Sequence, residues 1–286
     1  MTIKIGTSGY SFPDWKRTIY PAKLQPKNYL AYYQQDLGFD CVEINSTYYS
    51  LVSPKKMEGM AKKTRGNFEF TVKGYRGFTH DPFDFRKGSG RPSFAAAFED
   101  VEKYKFSIQS LRDSGKLGAV LLQFPPFFLP ATETRKYLLE LKEKFAGIPL
   151  VIEFRNRAWA GQANPQTAGL EGNTFDFLRK NELGYCIADE PPLPLLMPFV
   201  NEVTSDTAYL RLHGRNMNWF KVSAGERYNY LYSDDELTKF IPEIEKMSGN
   251  SQKAYIFFNN CHIGFAARNA QRMKELLGLG VKNTLF

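Results

Sequence analysis

The stretch Leu150–Trp159, LVIEFRNRAW, decides how the rest of this chain is read. Its first half is a β-rich apolar run. Strand side chains alternate with period two, so Val151, Glu153 and Arg155 share one face and Leu150, Ile152 and Phe154 fill the other. A core strand that ends in a carboxylate and a guanidinium needs a reason, because charges are almost never buried without partners. Either the two form part of an internal ion pair, or the strand opens into a binding site.

Seven more runs of the same kind lie along the chain, at Ile3–Gly6, Cys41–Asn45, Phe68–Lys73, Ala119–Phe124, Gly184–Ala188, Ala208–Leu212 and Lys253–Phe258. Helical periodicity fills most of the gaps. Phe94, Phe98, Val101, Ile108 and Leu111 form one apolar stripe, and Tyr137, Leu138, Leu141 and Phe145 another, for which Thr132 is the expected cap. Ser233 and Glu236 have capping-box spacing ahead of Leu237, Phe240, Ile241 and Ile244. Pro242 is expected to kink or shorten that helix. Eight strand-then-helix units predict an α/β chain folded as a TIM-like (β/α)8 barrel, with residues 1–286 as a single domain. The connection after the sixth strand, DEPPLPLLMPFV, carries Pro191, Pro192, Pro194 and Pro198, so a proline-rich loop is expected in place of the sixth helix.

Composition narrows the function classes. Over 286 residues the formal charge is +8 and the pI about 9.2, which favours anionic partners, phosphates or nucleic acid among them. Cys41, Cys186 and Cys261 are widely spaced and odd in number, which gives neither a disulfide framework nor a metal motif. Met1 leads into a strand without a signal peptide, and no apolar run approaches membrane-spanning length. A soluble cytoplasmic protein is the expectation, with no membrane partner. The sequence assigns no oligomeric state.

Barrels carry their chemistry at the C-terminal ends of their strands. Following the pleat, the inward parity supplies Glu43 and Asn45, Thr71 and Lys73, Gln123, then Glu153 and Arg155. Asp189 follows the sixth strand, Arg211 and His213 come from the seventh and Asn259 from the eighth. The opposite parity is apolar, as a surface covered by helices should be.

The motifs GTSGYSFPDW, VEINSTYY, FTVKGYRGFTH, GAVLLQFPPFF, VIEFRNRAW, LRLHGR and FFNNCHIGFAARNA resemble, in order and over nearly the whole chain, those of the YecE-like family. That family is a set of bacterial and archaeal barrels filed as a numbered domain of unknown function, number 72 in its series. The resemblance implies one TIM-like barrel. It places the recurring polar positions on Glu43, Asn45, Lys73, His80, Gln123, Glu153, Arg155, Arg211, His213, Gly214, Arg215, Asn259 and Asn260. It implies no reaction.

Roles are therefore argued from residue chemistry. Glu43, Glu153 and His213 are candidate acid/base groups, and Lys73 a candidate nucleophile if burial lowers its pKa, although pairing with Glu43 is the simpler state. Arg155, Arg211 and Arg215 suit bidentate binding of a carboxylate or phosphate, with Asn45, Gln123, Asp189, Asn259 and Asn260 as polar substrate contacts. His80 lies in a long loop where it can act as a lid residue. Trp15, Trp159 and Trp219 follow strand ends and form an expected aromatic rim. That rim is interleaved with bases, since Lys73, Arg76, Arg86, Lys87 and Arg91 face only Asp81 and Asp84.

Glu43, Glu153, Asp189 and His213 are donors that a divalent metal accepts. Three histidines in the chain, no HxH or HExxH spacing, and Lys73, Arg155 and Arg211 in the same mouth disfavour one, so no metal ligand is assigned. No dinucleotide or P-loop spacing occurs. The expectation is hydrolase- or lyase-type chemistry, without an organic cofactor, on an anionic, phosphate-bearing small molecule or nucleotide. The alternatives are a nucleic-acid-binding protein, nuclease-like or not, that uses the basic rim, and a noncatalytic ligand sensor.

Overall fold

The computed structural model describes residues 1–161, 173–223 and 225–280. Eight strands, β1 (Thr2–Thr7), β2 (Cys41–Ile44), β3 (Glu69–Lys73), β4 (Leu117–Gln123), β5 (Leu150–Glu153), β6 (Gly184–Asp189), β7 (Thr207–Leu212) and β8 (Lys253–Phe258), lie in one all-parallel sheet. The order runs from β1 through β8 back down to β2. Each expected strand appears within two residues of its predicted limits. Between β1 and β2 a parallel bridge of Ser8 with Glu43 takes the place of a ladder among the described residues, and side chains supplement it: Asn45 Nδ2 donates to Ser8 O at 3.3 Å, and Tyr33 Oη accepts from Thr7 N and donates to Cys41 O. The two strands approach closely there: a Cβ on Gly6 would lie 2.3 Å from the Cys41 carbonyl oxygen, so only glycine fits. This is the TIM-like (β/α)8 barrel.

The helices are α1 (Tyr29–Gln35), α2 (Pro54–Lys63), α3 (Arg76–Thr79), α4 (Phe94–Asp113), α5 (Thr132–Lys144), α6 (Thr174–Lys180), α7 (Asp234–Gly249) and α8 (Phe265–Leu276). No helix lies between β6 and β7, where the four prolines deny it the backbone donors it needs. Ser233 Oγ accepts from Glu236 N at 3.3 Å while Glu236 Oε2 accepts from Ser233 N at 3.0 Å, closing the expected capping box on α7. Two local expectations are corrected. Thr132 is the first residue of α5 and not its cap; Thr134 Oγ1 takes the Ala131 N–H instead. Helix α7 runs on through Pro242, because Leu237 and Phe240 before it and Ile244 and Met247 after it stay buried on one face.

The pleat sorts the core as the sequence implies. Cys41, Ala119, Leu121, Val151, Cys186, Tyr209, Tyr255 and Phe257 pack inside the barrel. Val42, Phe70, Val72, Ile152, Leu210 and Ile256 meet the helices outside it. Cys41 and Cys186 are buried free thiols. At the lower end of the barrel Lys253 Nζ donates to Glu69 Oε1 at 2.8 Å and Tyr255 caps the other oxygen, so the polar groups there are satisfied. Among the described residues no helix is long and apolar enough to cross a membrane.

Candidate functional site

Strands β2, β5 and β7 bring their inward charges together just below the C-terminal mouth. Arg211 spans the barrel: its Nη2 donates to Glu43 Oε1 at 2.7 Å and its Nη1 to Glu153 Oε2 at 2.6 Å. Tyr209, two residues earlier on the same face, donates to Glu43 Oε2 at 2.7 Å and meets Thr71 Oγ1 at 2.8 Å. Arg155 Nη1 donates to Glu153 Oε1 at 2.8 Å and also contacts Glu190. His213 Nε2 lies 3.2 Å from Glu153 Oε1 and 3.0 Å from Arg155 Nη1, and its Nδ1 lies 2.8 Å from Asn259 Nδ2. Glu43, Glu153, Arg211 and His213 are all essentially inaccessible to solvent. The ion-pair reading of LVIEFRNRAW is therefore literally present, as a network of two arginines and three glutamates.

Electrostatics fix the protonation states. Burial works against ionised Glu153, but Arg211, then the adjoining His213 ring and Arg155, outweigh it and hold its carboxyl well below the usual range. Burial dominates at His213 and takes its imidazole to about 3, so the ring is neutral at pH 7. Burial also raises Glu190 to about 7, with Arg155 opposing and Glu153 reinforcing the shift.

Glu153, Glu190 and His213 place ligand-type atoms within 4.8 Å of one another. The Arg155 guanidinium already sits against all three, so the donor set surrounds an arginine.

Above this layer opens a cavity of about 740 Å³ between the loops that follow β1, β2, β3, β4, β7 and β8. Its polar floor includes Asn45, Lys73, Gln123, Arg211 and Asn259, with Tyr48 and Tyr228 as aromatic wall. The expected pairing of Lys73 with Glu43 does not form, because Arg211 takes one oxygen of that carboxylate and Tyr209 the other. Lys73 Nζ donates instead to the neutral Gln123 Oε1 at 2.7 Å and lies 4.5 Å from the centre of the Tyr48 ring. Among the described residues no carboxylate pairs with it. Desolvation, followed by repulsion from Arg211, lowers this ammonium to about 7.

Other expected site residues sit elsewhere. The three tryptophans are core, not rim. Trp159 stacks on Phe154 at 4.1 Å and gives its N–H to Phe128 O, and Trp15 gives its N–H to Cys261 O. Trp219 is buried with the Arg155 guanidinium 5.5 Å from its ring. Apolar ring area outweighed the polar company these residues keep in sequence. Arg215 points away from the cavity and pairs with Asp189 at 2.8 Å; Tyr232 donates to the same carboxylate at 2.6 Å. Asn260 is buried and ties Tyr230 O to Asn269. His80 bonds Thr79 through Nδ1 at 3.0 Å and abuts the Tyr48 ring, so it supports a cavity wall from behind. All three arginines expected to hold an anion thus already face carboxylates. In the loop after β3, Arg76 and Lys87 pair with Asp81 and Arg86 with Asp84, which takes up much of the rim's charge.

Sequence reading missed Glu190 while naming its neighbour Asp189. Counting by twos from the inward Cys186 reaches Ala188 and Glu190, so the signal was available; Asp189 lies on the opposite parity and faces outward. Tyr48, Tyr228 and Ser8 had no comparable signal, because loops carry no period.

Residues 4–285 match the family described as "Protein of unknown function DUF72". The chain belongs to the DUF72 family. The UPF0759 protein YunF of Bacillus subtilis (strain 168) is 30% identical over 285 residues, covering 97% of this chain and 95% of that protein. A DUF72 structure from Thermotoga maritima superposes with a TM-score of 0.84 at 37% identity, covering 97% of this chain and 100% of that one. One from Enterococcus faecalis V583 gives 0.82 at 27% identity, covering 99% and 98%. The YecE-like resemblance and the barrel fold agree with this membership.

Proposed function

We propose that this DUF72 protein is an enzyme of hydrolase or lyase type, needing no organic cofactor, that takes a small anionic molecule into the cavity at the barrel mouth. The observation that carries the reading is Lys73. It is the cation on the cavity floor without a carboxylate partner among the described residues, and it is held by a neutral amide and an aromatic face. Arg211 adds positive potential from below while remaining tied to its glutamates. A cavity of about 740 Å³ suits a ligand the size of a phosphorylated metabolite or nucleotide. Glu153, ionised and buried, and Glu190, held near neutrality, supply acid/base capacity beneath it.

Inorganic sulfate tests the anion site, because its own charge is constant near neutral pH. The Lys73 ammonium is populated below about pH 7 and lost above it. Sulfate should therefore raise the melting temperature more at pH 6 than at pH 8, and the rise should vanish in Lys73→Gln. Equal stabilisation at both pH values and in the variant would overturn the reading.

A further inference from the structure

Lys73 has three properties that seldom coincide. Its Nζ sits on the floor of a cavity large enough for a metabolite. Its neighbours orient it without neutralising it, since Gln123 Oε1 accepts one N–H at 2.7 Å and the Tyr48 ring lies 4.5 Å away. Two polar atoms on other residues that line the same cavity, Arg211 Nε and Asn45 Oδ1, are buried with no hydrogen-bond partner among the described residues. Buried polar groups are almost always satisfied, so an unmatched donor and acceptor on the residues lining Lys73's cavity fit a ligand that brings polar atoms of its own.

We infer that Lys73 is a covalent nucleophile that forms an imine with a small aldehyde or ketone carrying a carboxylate or phosphate group. The inference deepens the anion-site reading and rests on it. The Nζ lone pair adds to the carbonyl carbon and the π pair moves to oxygen, which takes a proton. Nζ gives up one proton to form the neutral carbinolamine; the hydroxyl then takes a proton and leaves as water while the nitrogen lone pair closes the C=N bond, and Nζ loses its second proton. One carbonyl and one amine become one imine and one water, with no oxidant or reductant. Protonation of the imine nitrogen restores the positive charge on the cavity floor next to the ligand's anionic group. It also makes the nitrogen an electron sink for cleavage of a neighbouring bond, which assigns the chemistry to the lyase side of the proposed function.

The lowered ammonium supports this. With a pKa of about 7, close to half of Lys73 is neutral at neutral pH. An ordinary lysine at 10.4 is neutral in roughly one molecule in 2,500 at pH 7. The geometry gives Lys73 a place for the carbonyl, and the neutral fraction gives it a lone pair.

Trapping tests the inference on the intact protein. Pyruvate, glyoxylate and dihydroxyacetone phosphate are incubated separately with the protein and sodium cyanoborohydride, and the reduced adduct is mapped by peptide mass spectrometry. Modification of Lys73 should exceed that of any other lysine by at least about tenfold, given its neutral fraction. Its extent should rise through pH 7, not near pH 10. Lys73→Arg should abolish the site-specific adduct, with the fold checked by circular dichroism. Even labelling across lysines, or a wild-type profile that rises only above pH 9, would overturn the inference whether or not the variant folds. Stabilisation by sulfate with no trapped Lys73 would overturn the imine and leave the anion site standing. Equal trapping of acetone, which carries no anionic group, would overturn the anion-bearing substrate class.

Discussion

Replacing Arg211 with methionine isolates the energetics of the buried network. The substitution keeps much of the side-chain length but removes the guanidinium that bridges Glu43 at 2.7 Å and Glu153 at 2.6 Å. Two inaccessible carboxylates then lose their shared cation, which leaves Tyr209 on Glu43 and Arg155 with the neutral His213 on Glu153. Breaking a buried pair from one side costs about 3–5 kcal/mol, because the cost is that of the stranded charge. With an unfolding entropy of about 2.1 cal/mol/K per residue, a chain of this size should lose roughly 5–8 °C of melting temperature. The sign with pH follows from linkage. In the wild type the carboxyl of Glu153 is depressed on folding, so its contribution is full above the unfolded-state value and is lost only as pH falls through the folded one. In Arg211→Met the stranded acids are pushed upward and are relieved by taking up protons, so the variant should be hurt more at pH 8 than at pH 5. Urea denaturation followed by circular dichroism at both pH values measures this. A loss under about 1 kcal/mol, or one independent of pH, would refute the view that Arg211 neutralises both glutamates.

Two other outcomes follow from the geometry. His213 is buried as the neutral ring, so the unfolded chain binds its proton first: the His213 contribution to stability should be intact above about pH 6.5 and fall away toward its folded value of about 3. Its ring resonances in NMR should stay in the neutral position at pH 5, and a midpoint near 6.5 would contradict the burial argument. Gly214→Ala should destabilise the loop after β7, because Gly214 has φ +89° and a Cβ would lie 2.7 Å from the Cβ of Tyr230; an unchanged unfolding midpoint would show that this turn yields easily.

Much of the architecture was legible because barrels repeat two periods. Alternation along β2, β5, β7 and β8 placed Glu43, Glu153, Arg211 and Asn259 inward, and the apolar opposite parity followed. Period two says where a side chain points but not which partner wins it. Lys73 and Arg211 are both inward cations that could serve Glu43, and a guanidinium that gives one N–H to each of two carboxylates takes it, which leaves Lys73 to Gln123. The tryptophans misled for a related reason. Their positions after strand ends suggest a rim, yet Trp159 buries its full ring against Phe154 and Phe128. Burial of so large an apolar area outweighs any preference set by the polar residues around it.

The seam between β1 and β2 gives the network a mechanical meaning. The barrel is a hoop with one weaker joint, where a backbone bridge from Ser8 to Glu43 and the side chains of Asn45 and Tyr33 replace a ladder. Arg211 reaches both sides of that joint from β7, at 2.7 Å to Glu43 and 3.5 Å to Ser8 Oγ, and so acts as a tie rod behind it. Ser8 and Asn45, which stand on opposite lips of the joint, also line the cavity. A ligand that bridges the two lips should therefore slow amide exchange along residues 2–7 and 41–44, and exchange that stays unchanged at saturation would show that the seam does not feel the cavity.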